Sequence, residues 1–166
     1  VERKLSAFAF VPEYVVIKIL LMKVAIYSRG LDIEQENPLL ILLEELSRHD
    51  IEILLFNTLF EQFNIPQQLC NKIQQFSGYE DLDESVDCVI SLGGDGTMLD
   101  TITLIREKNI PVLGINFGRL GFLASISREE LSTAVDALVN HTYLIDKRTL
   151  IHLDSNVPLF TDAPFA

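Results

Sequence analysis

An aspartate among glycines, in residues 91–97 (SLGGDGT), is the strongest candidate for chemistry in this 166-residue sequence. Glycine tolerates positive φ and lets a ligand approach the backbone closely. A helix that begins after such a turn presents unpaired N–H groups and a positive dipole end, which together attract anions. The turn therefore favours a phosphate site, although it is neither a P-loop, because no Gly-Lys-Ser/Thr follows, nor a GxGxxG fingerprint.

Asp95 has two interpretations that the spacing leaves open. In one it is only a helix cap or turn residue. In the other it is a carboxylate held among phosphates, where it accepts a hydroxyl proton or organises a cation. Local chemistry does not choose between the two.

The other reactive side chains give weaker signals. Cys70 and Cys88 form no CxxC motif and no Cys/His cluster, so we expect two free thiols in a reducing cytosol rather than a metal site or a disulfide. The three histidines match no triad or ligand spacing and have structural interpretations: His49, His141 and His152. A net charge of −11 argues against nonspecific binding to nucleic acid or to an anionic membrane.

Strands and helices alternate around the glycine turn. Strands are predicted at residues 23–28, 51–56, 88–92 and 111–116, and helices at 38–50, 97–109 and, after a capping box of Ser127 and Glu130, 128–141. Residues 59–77 are expected to be helical or irregular, since Pro66 interrupts them. The pattern predicts an α/β fold, a Rossmann-like parallel sheet with helices on both faces, with the turn at the carboxyl end of a strand.

The chain divides into three predicted segments. Residues 1–21 precede Met22, where the regular pattern begins, and we interpret them as an upstream extension; alternatively, residues 15–21 add to the first strand. They are too interrupted to span a bilayer and fit a signal peptide poorly. Residues 22–142 form the α/β nucleotide-binding domain. Consecutive strands after that point predict that residues 143–166 begin an incomplete β-sandwich domain.

A second glycine motif, taken together with the first glycine turn, resembles a known family. The stretches SLGGDGTML (91–99) and PVLGINFGRLGFL (111–123) together resemble the NAD kinase family, and the strand–helix order from Met22 to Arg148 resembles it as well. The resemblance implies transfer of the γ-phosphate of ATP, or of another donor such as polyphosphate, to the 2′-hydroxyl of the adenosine ribose of NAD, which gives NADP. A lipid or sugar kinase with a similar GGDGT turn is an alternative, and so is a non-catalytic nucleotide-binding fragment.

The resemblance assigns roles to the first motif. It implies that Asp95 is the proton acceptor beside the NAD ribose and that Gly96 contacts the dinucleotide through its backbone. Gly93, Gly94 and Thr97 complete the turn that receives the phosphate donor. The alternative is that these glycines only shape the turn.

The second motif receives roles in the same way. Phe122 and Leu123 match family positions that line the adenine pocket, although on sequence alone a residue such as Phe122 is more often part of the core. Asn116 and Arg119 could bind phosphate or fix the loop, and Arg119 could also be a solvated charge. Asp100 stands where some relatives carry a basic residue, which puts a dinucleotide contact there in doubt. Arg29 and Gly30 form a further candidate for a phosphate-facing corner.

The resemblance also implies partners and an incomplete site. Mg²⁺ or another divalent cation would accompany ATP, and a full-length protein would be a cytoplasmic homo-oligomer. In relatives an Asn-Glu or Asn-Asp pair that grips the dinucleotide follows a stretch like PFA, and here that pair would fall beyond Ala166. We therefore expect this chain to fold its α/β part and to show little or no kinase activity alone.

Overall fold

Six strands form one parallel sheet in the computed structural model, which describes residues 21–119 and 121–150. The strands are β1 (Lys23–Tyr27), β2 (Glu52–Phe56), β3 (Ile73–Phe76), β4 (Cys88–Leu92), β5 (Val112–Asn116) and β6 (Ile126–Ser127). Their order across the sheet is β3-β2-β1-β4-β5-β6. The predicted α/β fold with a parallel sheet is confirmed.

The helices are α1 (Glu36–Arg48), α2 (Asn57–Gln62), α3 (Gln67–Cys70), α4 (Asp95–Ile105) and α5 (Leu131–Val139). Short 3-10 turns lie at Ile33–Gln35, Tyr79–Asp81 and Arg128–Glu130. The N–H and hydroxyl of Ser127 both donate to the Glu130 carboxylate at 2.9 Å, so the predicted pairing of these two residues opens the last helical segment. Among the described residues, no helix is both long and apolar enough to cross a membrane.

The sheet is covered on both faces because its central strands are apolar on both sides. The β4 sequence CVISL is buried at every position, as expected for a strand between two helical layers. One face packs against the apolar sides of α1 and α5, including Leu42, Leu46 and Val135. The other face packs against α4 and the segment before β4, with Ile105 and Leu82 among the contacts.

Three sequence predictions need correction. Residues 59–77 contain two short helices and then β3, a strand whose two glutamines are exposed at the sheet edge and hide its β pattern. Consecutive strands were expected after residue 142, but residues 143–150, the described part of that segment, have no strand structure and are exposed. Helix α4 begins at Asp95 rather than Thr97 and ends at Ile105, so the aspartate lies inside its first turn. The predictions for residues 1–20 and 151–166 lie outside the described residues.

The strand order places a topological switch point between β1 and β4. Going along the chain, β2 and β3 add to one side of β1, whereas β4, β5 and β6 add to the other side. In open α/β sheets, ligands bind in the crevice beyond the carboxyl ends of the strands where this reversal occurs. The segments after β1 and β4 are therefore the expected walls of a site.

Candidate nucleotide-binding site

The ends of three adjacent strands bring the predicted residues together. Tyr27 in β1 pairs with Ser91 in β4, and Leu92 in β4 pairs with Ile115 in β5. Because the strands are parallel, the segments that follow them leave the same edge of the sheet. The structure thus gathers Arg29, the turn at residues 93–97 and the residues after β5 at one place.

The first glycine turn, residues 93–97, carries the chain from β4 into α4. Its first glycine has φ of 146°, and a Cβ there would lie 2.4 Å from Thr97 Oγ1, so only glycine fits. The Gly93 N–H donates to the Ile115 carbonyl at 2.9 Å, which ties the turn to β5. In the described structure no side chain caps α4, so the N–H groups of its first turn remain available to a ligand.

Asp95 connects this turn to the second glycine loop, residues 121–124. Its carboxylate accepts backbone N–H groups from Phe122 and Leu123, both at 2.9 Å, and from Ala124 at 3.1 Å. These bonds, that of Phe122 first, hold the pKa of Asp95 below its ordinary value, so the side chain is ionised at neutral pH. A carboxylate thus stands at the N-terminus of α4, between the two glycine segments.

The residues after β5 divide into those that shape the backbone and those that face outward. Asn116 is buried; its Oδ1 accepts the Gly118 N–H at 2.9 Å and its Nδ2 donates to the Arg119 carbonyl, so this amide fixes the chain. Arg119 is exposed, and Leu123 is half-buried. Phe122 is 97% exposed, so of the two interpretations of this ring the core one is wrong in this structure.

Arg29 reaches across the strand ends from β1 to α4. Its guanidinium makes a two-pronged ion pair with Asp100, with Nε to Oδ2 at 2.5 Å and Nη2 to Oδ1 at 2.6 Å. The third nitrogen, Nη1, lies 3.8 Å from the place where a Cβ on Gly96 would be. Asp100 therefore orients a cation over the first turn of α4.

The site rests on a buried polar contact that the sequence did not reveal. Thr101 and Ser91 are fully buried, and the Thr101 hydroxyl lies 3.0 Å from the Ser91 hydroxyl and 2.9 Å from the Thr97 carbonyl. This contact joins α4 to β4 directly beneath the glycine turn. Its members look like ordinary small residues in sequence, and only the packing of α4 on β4 pairs them.

The remaining candidates lie away from this edge. His49 follows α1, with its Nε2 3.7 Å from Asp136 Oδ1, and His141 follows α5, whereas His152 lies outside the described residues. Cys70 is half-buried, and Cys88 is buried, which raises its pKa to about 12. Within the described residues, no group of three or more His, Cys, Asp or Glu is placed to hold a metal ion.

Comparison with known proteins identifies this arrangement. Residues 44–143 match the family model of the ATP-NAD kinase N-terminal domain, which is more than half of the chain. The chain belongs to the NAD kinase family. The family match includes the first glycine turn, Asp95 and the second glycine loop.

Individual relatives agree with the family model. The chain is 35% identical to the NAD kinase of Flavobacterium psychrophilum over 147 residues, which are 87% of this chain and 50% of the relative. It is 52% identical to the NAD kinase of Cytophaga hutchinsonii over 80 residues, 48% of this chain and 27% of the relative. The chain thus spans about half the length, or less, of these relatives.

A solved structure shares the fold. The crystal structure of yeast NADH kinase complexed with NADH superposes with a TM-score of 0.60 at 22% identity, covering 72% of this chain and 36% of that one. At this identity the likeness supports the α/β architecture.

Proposed function

We propose that this chain supplies the nucleotide-binding half of an enzyme that phosphorylates the 2′-hydroxyl of the adenosine ribose of NAD, with ATP or another phosphoryl donor, to give NADP. The observation that carries the proposal is the ionised Asp95 at the uncapped N-terminus of α4. Membership of the NAD kinase family supplies the substrates. A non-catalytic fragment or a lipid or sugar kinase lacks such support.

The reaction needs positioning and charge neutralisation more than a nucleophilic side chain. The ribose hydroxyl oxygen forms a bond to the γ-phosphorus while the bond to ADP breaks, and the hydroxyl proton passes to Asp95. A carboxylate whose pKa is lowered is a weak base, which suits orienting the hydroxyl before much proton transfer has occurred. The N–H groups of the first turn of α4 would bind phosphate oxygens.

We assign the other site residues to different parts of the two substrates. We place the phosphate donor on the first glycine turn, Gly93 to Thr97, with Gly96 leaving room for backbone contact with the dinucleotide. Phe122 and Leu123 would line the adenine end, where an exposed ring can stack on a base. Arg119 and Arg29 are cations within reach of phosphates, and Asn116 acts by holding the backbone.

A divalent cation such as Mg²⁺ would arrive with the phosphates of ATP. Mg²⁺ in such sites commonly keeps several waters and uses few protein ligands. The cation would neutralise phosphate charge. We assign it no ligand in this chain.

Several features of the whole protein stay predictions. We expect a cytoplasmic homo-oligomer, a boundary near residue 142, and a β-rich second domain that begins in residues 143–166. That domain would complete the dinucleotide pocket, so the isolated chain is expected to have little activity.

The test is a chimera in which residues 1–150 are joined to the C-terminal half of the F. psychrophilum NAD kinase. With ATP, Mg²⁺ and NAD, we expect the chimera to form NADP, the isolated chain to form almost none, and the intact relative to serve as the positive control. Phosphorylation of diacylglycerol or fructose 6-phosphate instead of NAD would replace the proposal with its alternative. A folded chimera that binds NAD and ATP without turnover would favour the non-catalytic interpretation.

A further inference from the structure

The two oxygens of Asp95 are not equivalent. Oδ1 accepts two backbone N–H groups, those of Leu123 at 2.9 Å and Ala124 at 3.1 Å. Oδ2 accepts one, that of Phe122 at 2.9 Å. An ionised carboxylate offers about four acceptor positions, two on each oxygen. Oδ1 is therefore saturated, and Oδ2 keeps one position.

Gly121 closes the space around Oδ1. A Cβ on Gly121 would lie 2.1 Å from Oδ1 and 2.8 Å from Oδ2, so the backbone of the loop lies directly against the carboxylate. The Gly121 N–H donates to the Ala124 carbonyl at 3.2 Å, which folds the loop into a turn around the same oxygen. Oδ1 thus faces the loop from two sides.

We propose that Asp95 divides its work between its two oxygens: Oδ1 positions the second glycine loop, and Oδ2 is the oxygen that receives the ribose hydroxyl. Through Oδ1, Asp95 is a positioning residue that holds the backbone of Leu123 and Ala124, next to Phe122 in the loop. Gly121 is a second positioning residue, since any side chain there would push the carboxylate away. The assignment of Oδ2 rests on the proposed function, whereas the assignment of Oδ1 does not.

Residue-resolved amide hydrogen exchange on the full chain tests the role of Oδ1. An asparagine can keep its oxygen toward Leu123 and Ala124, but its NH₂ group then faces the Phe122 N–H, donor against donor. We expect Asp95→Asn to speed exchange at Phe122 at least about tenfold and at Leu123 and Ala124 less than about threefold. Asp95→Ala should speed all three about tenfold or more.

Asp100→Asn is the matched control, because it removes the same charge from the same helix but leaves the loop contacts in place. It should leave the three amides unchanged. Exchange at Ile90, in the centre of the sheet, reports whether each variant is folded. If Asp95→Ala does not fold, Gly121→Ala takes its place, since it displaces the carboxylate without removing it and should expose the same amides.

Three results would overturn the role of Oδ1 in positioning the second glycine loop. In the first, Asp95→Ala, or Gly121→Ala in its place, leaves the three amides protected. In the second, Asp95→Asn exposes all three amides equally. In the third, Asp100→Asn exposes them as much as Asp95→Asn does.

Calorimetry on the chimera tests the role of Oδ2. We expect unmodified chimera to bind NAD about tenfold or more tightly than its 2′-deoxyadenosine analogue, because a charged hydrogen bond is lost. In Asp95→Asn this preference should fall below about threefold. An unchanged preference would overturn the assignment of Oδ2. Failure of the unmodified chimera to bind NAD would overturn both that assignment and the proposed function, while the exchange pattern would still decide the role of Oδ1.

Discussion

The two glycine segments meet at Asp95 but use their backbones in opposite ways. In the first glycine turn, no side chain among the described residues caps the N–H groups at the start of α4, so these groups are available to a ligand. In the second glycine loop, the N–H groups of Phe122, Leu123 and Ala124 are all bonded to Asp95. The first segment therefore offers backbone to a ligand, and the second offers a side chain, the exposed Phe122 ring.

This difference shows that a glycine can serve either the protein or its ligand. Gly93 and Gly121 are required by neighbouring protein atoms, Thr97 Oγ1 and Asp95 Oδ1 respectively. The sites of a Cβ at Gly94 and Gly96 have their nearest protein atoms at 3.8 Å, an ordinary contact distance. Neighbouring protein atoms therefore do not require glycine at these two positions, and we expect their lack of a side chain to serve a ligand. Substitutions at glycines that the protein requires should therefore lower stability, whereas substitutions at glycines that serve a ligand should weaken binding.

The largest effect is expected for Gly93→Ala. Positive φ and the contact with Thr97 should lower the free energy of unfolding by about 3 kcal/mol. Gly94→Ala, one residue on with φ of −82°, is the matched control and should change it by less than about 1 kcal/mol. Denaturant unfolding of both variants measures the difference, and equal losses would remove the distinction between the two glycines.

Thr101→Val tests the support beneath the first turn. It deletes the buried hydroxyl that bonds Ser91 and should cost about 2 kcal/mol, because the Ser91 hydroxyl is left without a partner. Thr103→Val is the control: its hydroxyl donates to the Asp100 carbonyl in the half-buried part of the same helix, and its loss should cost less than about 1 kcal/mol. A Thr101→Val variant as stable as the unmodified chain would show that the turn stands without this contact.

Gly96→Ala separates folding from binding. Alanine is favoured over glycine inside a helix by up to about 1 kcal/mol, so the variant should be at least as stable as the unmodified chain. In the chimera, however, its methyl group would enter the ligand space and weaken NAD or ATP binding about tenfold. Gly78→Ala, remote from the site and with no described atom within 4 Å of the added Cβ, should leave binding unchanged. Calorimetry with unaltered affinity for Gly96→Ala would contradict a ligand at this turn.

The smallest effect is a pH dependence of the link between the segments. The folded pKa of Asp95 is lowered below 3.8, so the stability it contributes is present above that pH and is lost as the pH falls through the folded pKa. The difference in free energy of unfolding between the unmodified chain and Asp95→Asn should therefore be constant near pH 7 and shrink below pH 3.8. The loss in Thr101→Val, a neutral pair, should not vary. A difference that grows in acid would contradict the loop contacts.

Much of this architecture follows from periodicity. The runs KVAIY and CVISL are apolar at consecutive positions, and α1 repeats its leucines at helical spacing, so the sequence alone predicts a sheet covered on both faces. β3 escaped prediction because an edge strand can carry exposed glutamines. Residues 143–150 lie in the predicted run of consecutive strands but have no strand structure, because a strand also needs a neighbour to pair with.

The sequence predicts where along the chain the residues of the candidate site lie, but not which atoms they contact. Glycine spacing located both segments and singled out Asp95, because those residue types report local backbone needs. The partners of Asp95 and Asn116 depend on how loops from different strands approach each other, which no spacing encodes. Likewise, the ion pair of Arg29 with Asp100 joins two residues far apart in sequence, each of which looked ambiguous alone.

The close approach of Gly121 to Asp95 has a consequence for how this chain can vary. Because a methyl group at position 121 and a carboxylate at position 95 compete for the same space, which residue one position tolerates depends on the residue at the other. Asp95→Gly should partly rescue the fold of Gly121→Ala, and the double variant should be less damaged than the sum of the two single changes. A related sequence without glycine at position 121 would thus keep its fold by losing the carboxylate at position 95, the group on which its chemistry depends.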